Sequence, residues 1–166
     1  MNMSEIKDKI ILITGANRGI GKSLSLGFSK LGANVILLGK DEDSLNGIYD
    51  QIIKTSSTKP LIIQCDLKEL DAAGSNQIKE EILAAYGKLD GVIHNAAILG
   101  KMSSIEDYEE RLWKEVFDVN VNSAFLISKE VLPILKNSPM GRIIFTSSGV
   151  AETGKAYWGA YSASKF

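Results

Sequence analysis

KIILITGANRGIGKS, residues 9–23, is the stretch on which the reading of this chain turns. Its four consecutive aliphatic residues, Ile10 to Ile13, form a run of strand length with no alternation, as expected of a strand buried on both faces. Glycines 15, 19 and 21 follow at once. Behind them Ile20, Leu24, Phe28 and Leu31 recur every three or four residues, which predicts a helix with one apolar face, ended by Gly32.

The same unit repeats outward from there. Lys9 to Thr14, Asn34 to Leu38, Leu61 to Gln64, Gly91 to His94 and Arg142 to Thr146 are rich in Ile, Val and Leu and predict five strands. Between them, Leu45, Ile48 and Ile52 mark one amphipathic helix, and Ile78, Ile82 and Ala85 another. Phe117, Val121, Phe125, Ser128, Leu132 and Leu135 mark a long one, which Pro133 is expected to kink or shorten. Strands and helices in alternation give right-handed crossovers and a parallel sheet covered on both sides. The expectation is one doubly wound α/β domain over residues 1–166, with KTSSTKP (residues 54–60) as a polar loop inside it.

Composition narrows the function classes. Of 166 residues, 45% are hydrophobic and 23% charged, the balance of an ordinary globular domain rather than a disordered or fibrous chain. The 19 Lys and Arg stand against 20 Asp and Glu, so no basic surface argues for nucleic acid as a partner. No apolar run is long enough to span a membrane. The single cysteine, Cys65, excludes an internal disulfide, and with one histidine, His94, no metal site is expected; both residues read as packing residues. Scarce cysteine also fits a reducing compartment, the cytoplasm.

The glycine turn carries the chemistry. At a strand-to-helix junction, glycines let the backbone bend tightly and approach a ligand, while the free N–H groups and dipole of the helix N-terminus favour a pyrophosphate. A dinucleotide therefore fits there. Gly21-Lys22-Ser23 ends like the phosphate loop of nucleoside triphosphatases, but that loop needs glycine where Ala16 stands, which leaves triphosphatase activity as a minor alternative.

T-G-x-x-x-G-I-G, from Thr14 to Gly21, resembles the short-chain dehydrogenase/reductase family, and five further features agree. Tyr161 and Lys165 form Y-x-x-x-K, Ser148 lies thirteen residues before Tyr161, Asn120 lies in the long helix, Asp66-Leu67 follows the third strand, and Asn95-Ala96-Ala97 follows the fourth. Ala97 stands where the family usually has glycine. The resemblance runs from Lys9 to Lys165 and implies a Rossmann-type sheet with strand order 3-2-1-4-5. It also implies a nicotinamide cofactor held by Gly15, Asn17, Arg18, Gly19, Ile20, Gly21, Lys40, Asp66, Leu67, Asn95, Ala96 and Ala97, with Tyr161 and Lys165. Asn120, Ser148, Tyr161 and Lys165 become the catalytic set: Ser148 to hold the substrate oxygen, Lys165 to reach the nicotinamide ribose, Asn120 to anchor a relay water. Independently of the family, residues four apart share a helix face, and an ammonium beside a phenol favours phenolate, so Tyr161 can serve as acid or base. Trp113 and Trp158 fit a substrate or subunit surface, and packing explains them as well.

Three expectations follow for the cofactor and the molecule. The second strand ends Leu38-Gly39-Lys40 with no acid to bond a ribose diol, while Lys40 and Arg18 offer cations for a 2′-phosphate, so NADP(H) is preferred and NAD(H) possible. Asp41 is assigned to capping the next helix through Asp41-x-x-Ser44. A small carbonyl or alcohol is the expected substrate, with self-association of the full-length protein; a dinucleotide-binding module without turnover is the alternative. The family pattern continues for about eighty further residues, including two more strands, so these 166 residues alone are expected to bind cofactor weakly and to lack turnover. Their fifth strand would be an edge, and the helix of Tyr161 would fray.

Overall fold

A computed structural model of the chain describes residues 5–166; the first four residues of the expected domain lie outside the described residues. Five parallel strands form one sheet: β1 (Ile10–Thr14), β2 (Asn34–Gly39), β3 (Leu61–Gln64), β4 (Gly91–His94) and β5 (Arg142–Phe145), in the order β3-β2-β1-β4-β5. That is the expected order, and each strand lies within a residue of its expected span. Helices α1 (Gly19–Lys30), α2 (Glu42–Thr55), α3 (Ala72–Tyr86), α4 (Glu110–Phe117), α5 (Ser123–Leu135) and α6 (Gly159–Lys165) complete it.

Period-two alternation sorts the strand residues onto two cores. Leu12, Ile36, Leu38, Ile63 and Val92 point to one face, where Ile78 and Ile82 of α3 and Ile127, Val131 and Leu135 of α5 cover them. Ile11, Ile13, Val35, Leu37 and Ile93 point to the other, under Leu45, Ile48 and Ile52 of α2 and the half-buried Leu24 and Phe28 of α1. Having apolar residues on both faces is why these strands read as unbroken aliphatic runs. At the sheet margin β5 pairs with β4, and Ile144 and Phe145 are exposed.

Two helices differ from expectation. The long helix begins earlier, at Glu110, and is divided by a π turn over Asp118–Asn122. Its buried residues are Val116, Val119, Ser123, Ala124, Ile127, Val131 and Leu135, whereas Val121, Phe125 and Leu132, expected to face the core, are exposed. Both stripes repeat at helical spacing, and the π turn sets which of them meets the sheet. In α1 the fully buried residues are Gly21, Ser25 and Ser29, beside the half-buried Leu24 and Phe28, while Ile20 is exposed. Small side chains let this helix approach β1 closely, with Ser25 Oγ donating back to Gly21 O at 2.8 Å. Pro133 stands in the last turn of α5, which ends two residues later. No helix among the described residues is long and apolar enough to cross a membrane.

Candidate active site

The loops leaving the carboxyl ends of the strands on either side of β1 open a cleft of about 760 Å³. The glycine turn contributes Gly15, Asn17, Arg18, Gly19 and Ile20; the end of β2 contributes Lys40 and Asp41; the loop after β3 contributes Cys65, Asp66 and Leu67; the loop after β4 contributes Asn95, Ala96 and Ala97. All the residues expected at the cofactor therefore share one cleft except three. Gly21 lies buried beneath the turn, and Tyr161 and Lys165 lie on α6. Lys22, the lysine of the triphosphatase alternative, is exposed on α1 and does not line the cleft.

Thr14 joins the two central turns. Its Oγ1 accepts from the N–H groups of Asn95 and Ala96, both at 3.1 Å, and Asn95 Nδ2 donates to Thr14 O at 3.0 Å and Gly15 O at 3.3 Å. Gly15 has φ +66°, and a Cβ there would come within 2.9 Å of Ala96 Cα. A Cβ on Gly21 would strike Gly15 O and approach Asn95 Nδ2 to 2.7 Å. The glycines are thus required by close backbone approach, and the same closeness leaves the first N–H groups of α1 open to an anion.

At the end of β2, Asp41 behaves as the helix cap expected of it. Ser44 N donates to Asp41 Oδ1 at 3.3 Å and Ser44 Oγ to Oδ2 at 2.7 Å, and these bonds hold its carboxyl below the usual range. Lys40 and Arg18 are exposed beside it on the cleft wall. Cys65 is half-buried, and burial, followed by the charges of Asp66 and Glu81, pushes its thiol up, which suits a packing role.

A second cavity of about 280 Å³ shares Ala96 and Val119 with the cleft and is lined by Asn120, Thr146, Ser147, Ser164 and Lys165. Lys165 Nζ donates to Thr146 O at 2.8 Å and lies 5.8 Å from the centre of the Tyr161 ring; burial lowers its pKa. The edge of Trp158 meets Tyr161 at 5.9 Å between centroids. Asn120, in the π turn, accepts from Ile98 N at 2.8 Å and donates to Ile98 O at 3.0 Å and to Ser164 Oγ at 2.8 Å. Ser148 opens the short 3-10 turn Gly149–Ala151, where its carbonyl accepts from Ala151 N at 2.9 Å. Ser147 lines the cavity and Ser148 does not.

Thr14, Ile98, Thr146, Ser147 and Ser164 were not singled out for the site by sequence. Thr14 could have been, since it ends the strand that leads into the glycine turn.

Residues 9–166 match the family model described as short chain dehydrogenase. The chain belongs to the short chain dehydrogenase family. It is 38% identical over 161 residues to the uncharacterized oxidoreductase YciK of Escherichia coli K12, covering 97% of this chain and 64% of that one. A short chain dehydrogenase of Escherichia coli CFT073 complexed with NADPH superimposes with a TM-score of 0.95 at 37% identity, over 100% of this chain and 69% of that one. One from Shigella flexneri complexed with NADP does so with a TM-score of 0.93 at 38% identity, over 96% and 67%. The chain spans about three fifths of the length of the curated short chain dehydrogenase relatives it matches.

Proposed function

We propose that this chain is an NADP(H)-dependent oxidoreductase acting on a small carbonyl or alcohol compound. The observation that carries the reading is the placement of Lys165 and Tyr161 together on α6, with Lys165 in a cavity that adjoins the glycine-turned cleft. The cleft fits a dinucleotide: Gly15 and Gly21 keep side chains out of the floor, and the start of α1 presents N–H groups to a pyrophosphate. Asp66 and Leu67 would flank the adenine, and Asn95, Ala96 and Ala97 the middle of the molecule.

The preference for NADP(H) rests on charge. Asp41 has both carboxylate oxygens engaged by Ser44, so the acid nearest the ribose end is committed to its helix, while Arg18 and Lys40 face the cleft with two cations. The NADP and NADPH held by the two structural relatives agree with it. NAD(H) would bind the same cleft without that charge pairing.

When bound, the nicotinamide supplies or takes up the hydride. The chain supplies the proton. Tyr161 Oη would give it to a carbonyl oxygen, or take it from an alcohol, with Lys165 beside it reaching the nicotinamide ribose. Ser148 would hold the substrate oxygen, and Asn120 would anchor the water that reconnects the proton path to solvent. We read residues 1–166 as one unit of this enzyme, cytoplasmic and self-associating at full length.

Ser148 lies outside the cavity wall, and this favours a second reading, a dinucleotide-binding module without turnover. Following NADPH absorbance of the full-length protein with a panel of aldehydes and ketones separates them. The enzyme reading expects steady oxidation, and expects Tyr161→Phe to reduce kcat by about a hundredfold or more with cofactor affinity unchanged, because Phe keeps the ring and removes the donor. NADPH binding with no oxidation by any carbonyl supports the module, and near-normal kcat in the Phe variant assigns the proton to another group.

A further inference from the structure

Ser164 stands between Tyr161 and Lys165 and makes two hydrogen bonds that neither the motif nor its spacing discloses. Its Oγ donates to Tyr161 O at 2.8 Å within α6, and accepts from Asn120 Nδ2, forty-four residues away, at 2.8 Å. A serine hydroxyl has one hydrogen, so once that hydrogen goes to Tyr161 O it can only accept from Asn120.

This polarity propagates. Asn120 must turn its NH2 toward Ser164, which is the orientation in which its Oδ1 meets Ile98 N at 2.8 Å and its other hydrogen meets Ile98 O at 3.0 Å. The flipped amide would set oxygen against Ser164 and Ile98 oxygens and NH2 against an N–H, losing all three bonds at once. Ile98 continues the loop after β4 that carries Asn95, Ala96 and Ala97 on the cleft wall. An unbroken path of hydrogen bonds therefore joins that wall, the π turn and the backbone of Tyr161.

Helix α6 is held to the rest of the molecule by side chains. Two side-chain bonds tie it to other elements. Lys165 Nζ reaches Thr146 O beyond β5, and Ser164 reaches the π turn. The first depends on a side chain that must also serve the cofactor; the second joins Asn120 to Ser164, a residue with no role in the proposed proton and hydride transfer.

We infer that Ser164 is a positioning residue for this site, a two-way latch whose hydroxyl sets the catalytic helix against Asn120 and so fixes where Tyr161 and Lys165 stand. The inference rests on the oxidoreductase reading above, and its experiment tells the two apart. In the full-length protein loaded with NADPH, Ser164→Ala is expected to lower kcat about tenfold, to leave cofactor affinity within twofold, and to displace the pH profile of kcat; Ser164→Thr, which keeps the hydroxyl, is expected to restore most of the rate. Wild-type kcat and pH profile in the Ala variant overturn the latch, as does equal loss in Ala and Thr, which would make the side chain a spacer. A variant-free measurement stands beside these: both Asn120 side-chain amide hydrogens, read by NMR, are expected to exchange slowly with solvent in the wild type, and fast exchange overturns the latch even if Ser164→Ala fails to fold. If the wild type oxidises NADPH with no carbonyl, the oxidoreductase reading fails, while slow Asn120 exchange that becomes fast in Ser164→Ala still upholds the latch itself.

Discussion

His94 is only 6% exposed, its Nε2 is 2.9 Å from Ser128 Oγ, and its ring stacks on Phe145 at 4.9 Å. Burial pushes its pKa down to about 4, so the folded protein holds it neutral where the unfolded chain, near 6.5, begins to bind a proton. The lowered value fixes the sign: the contribution to stability is fully present above pH 6.5 and is lost as pH falls toward 4, by roughly 3 kcal/mol if His94 acts alone. Denaturant titrations across that window should show the loss, and His94→Gln should flatten it; an unchanged slope in the Gln variant would assign the acid sensitivity elsewhere. At this scale the sequence made Tyr161 and Lys165 legible, because four residues on a helix is one face. It did not separate Ser147 from Ser148, since which of two adjacent serines turns into a cavity depends on how the backbone leaves the strand. Nor did it expose Ser164 or Thr14, whose partners lie 44 and about 80 positions away in the chain.

Among elements, the strands and the glycine turn were readable for a physical reason: burial on both faces leaves an uninterrupted aliphatic run, and a tight turn leaves glycine. The α5 face was not, because Val121, Phe125 and Leu132 repeat as regularly as the buried Ile127, Val131 and Leu135, and the π turn that chooses between them has no simple sequence mark. Helix α1 was legible in part: Leu24 and Phe28 pack on the core as their spacing predicts, but the most buried positions are Gly21, Ser25 and Ser29, which hydrophobicity alone does not find. The same helix offers a matched pair of substitutions. Gly21→Ala drives a methyl into Gly15 O and the Asn95 amide, and should cost about 1–3 kcal/mol and weaken cofactor binding at least tenfold. Gly27→Ala on the exposed face meets nothing within 4 Å and should stabilise by about 0.5–1 kcal/mol with binding unchanged. Thermal melts and cofactor titrations check both; equal effects would mean the helix does not rest on the turn as described.

For the whole molecule, the order β3-β2-β1-β4-β5 puts the reversal of strand order beside β1, and the cleft opens there, between the loops after β1, β2 and β3 and the loop after β4. Four loops separated by up to about eighty residues thereby present one surface, with cations at the β2 side and the Lys165 cavity at the β5 side. A cofactor lying across it would span from the 2′-phosphate at Arg18 and Lys40 to the nicotinamide beside Tyr161. That arrangement is the central claim, and parallel titrations with NADPH and NADH test it without any knowledge of the substrate. The account predicts that NADPH binds tighter by about tenfold or more, and that Arg18→Ala combined with Lys40→Ala closes the gap by weakening NADPH alone. Equal or tighter binding of NADH, or a double variant that weakens both cofactors alike, would contradict it.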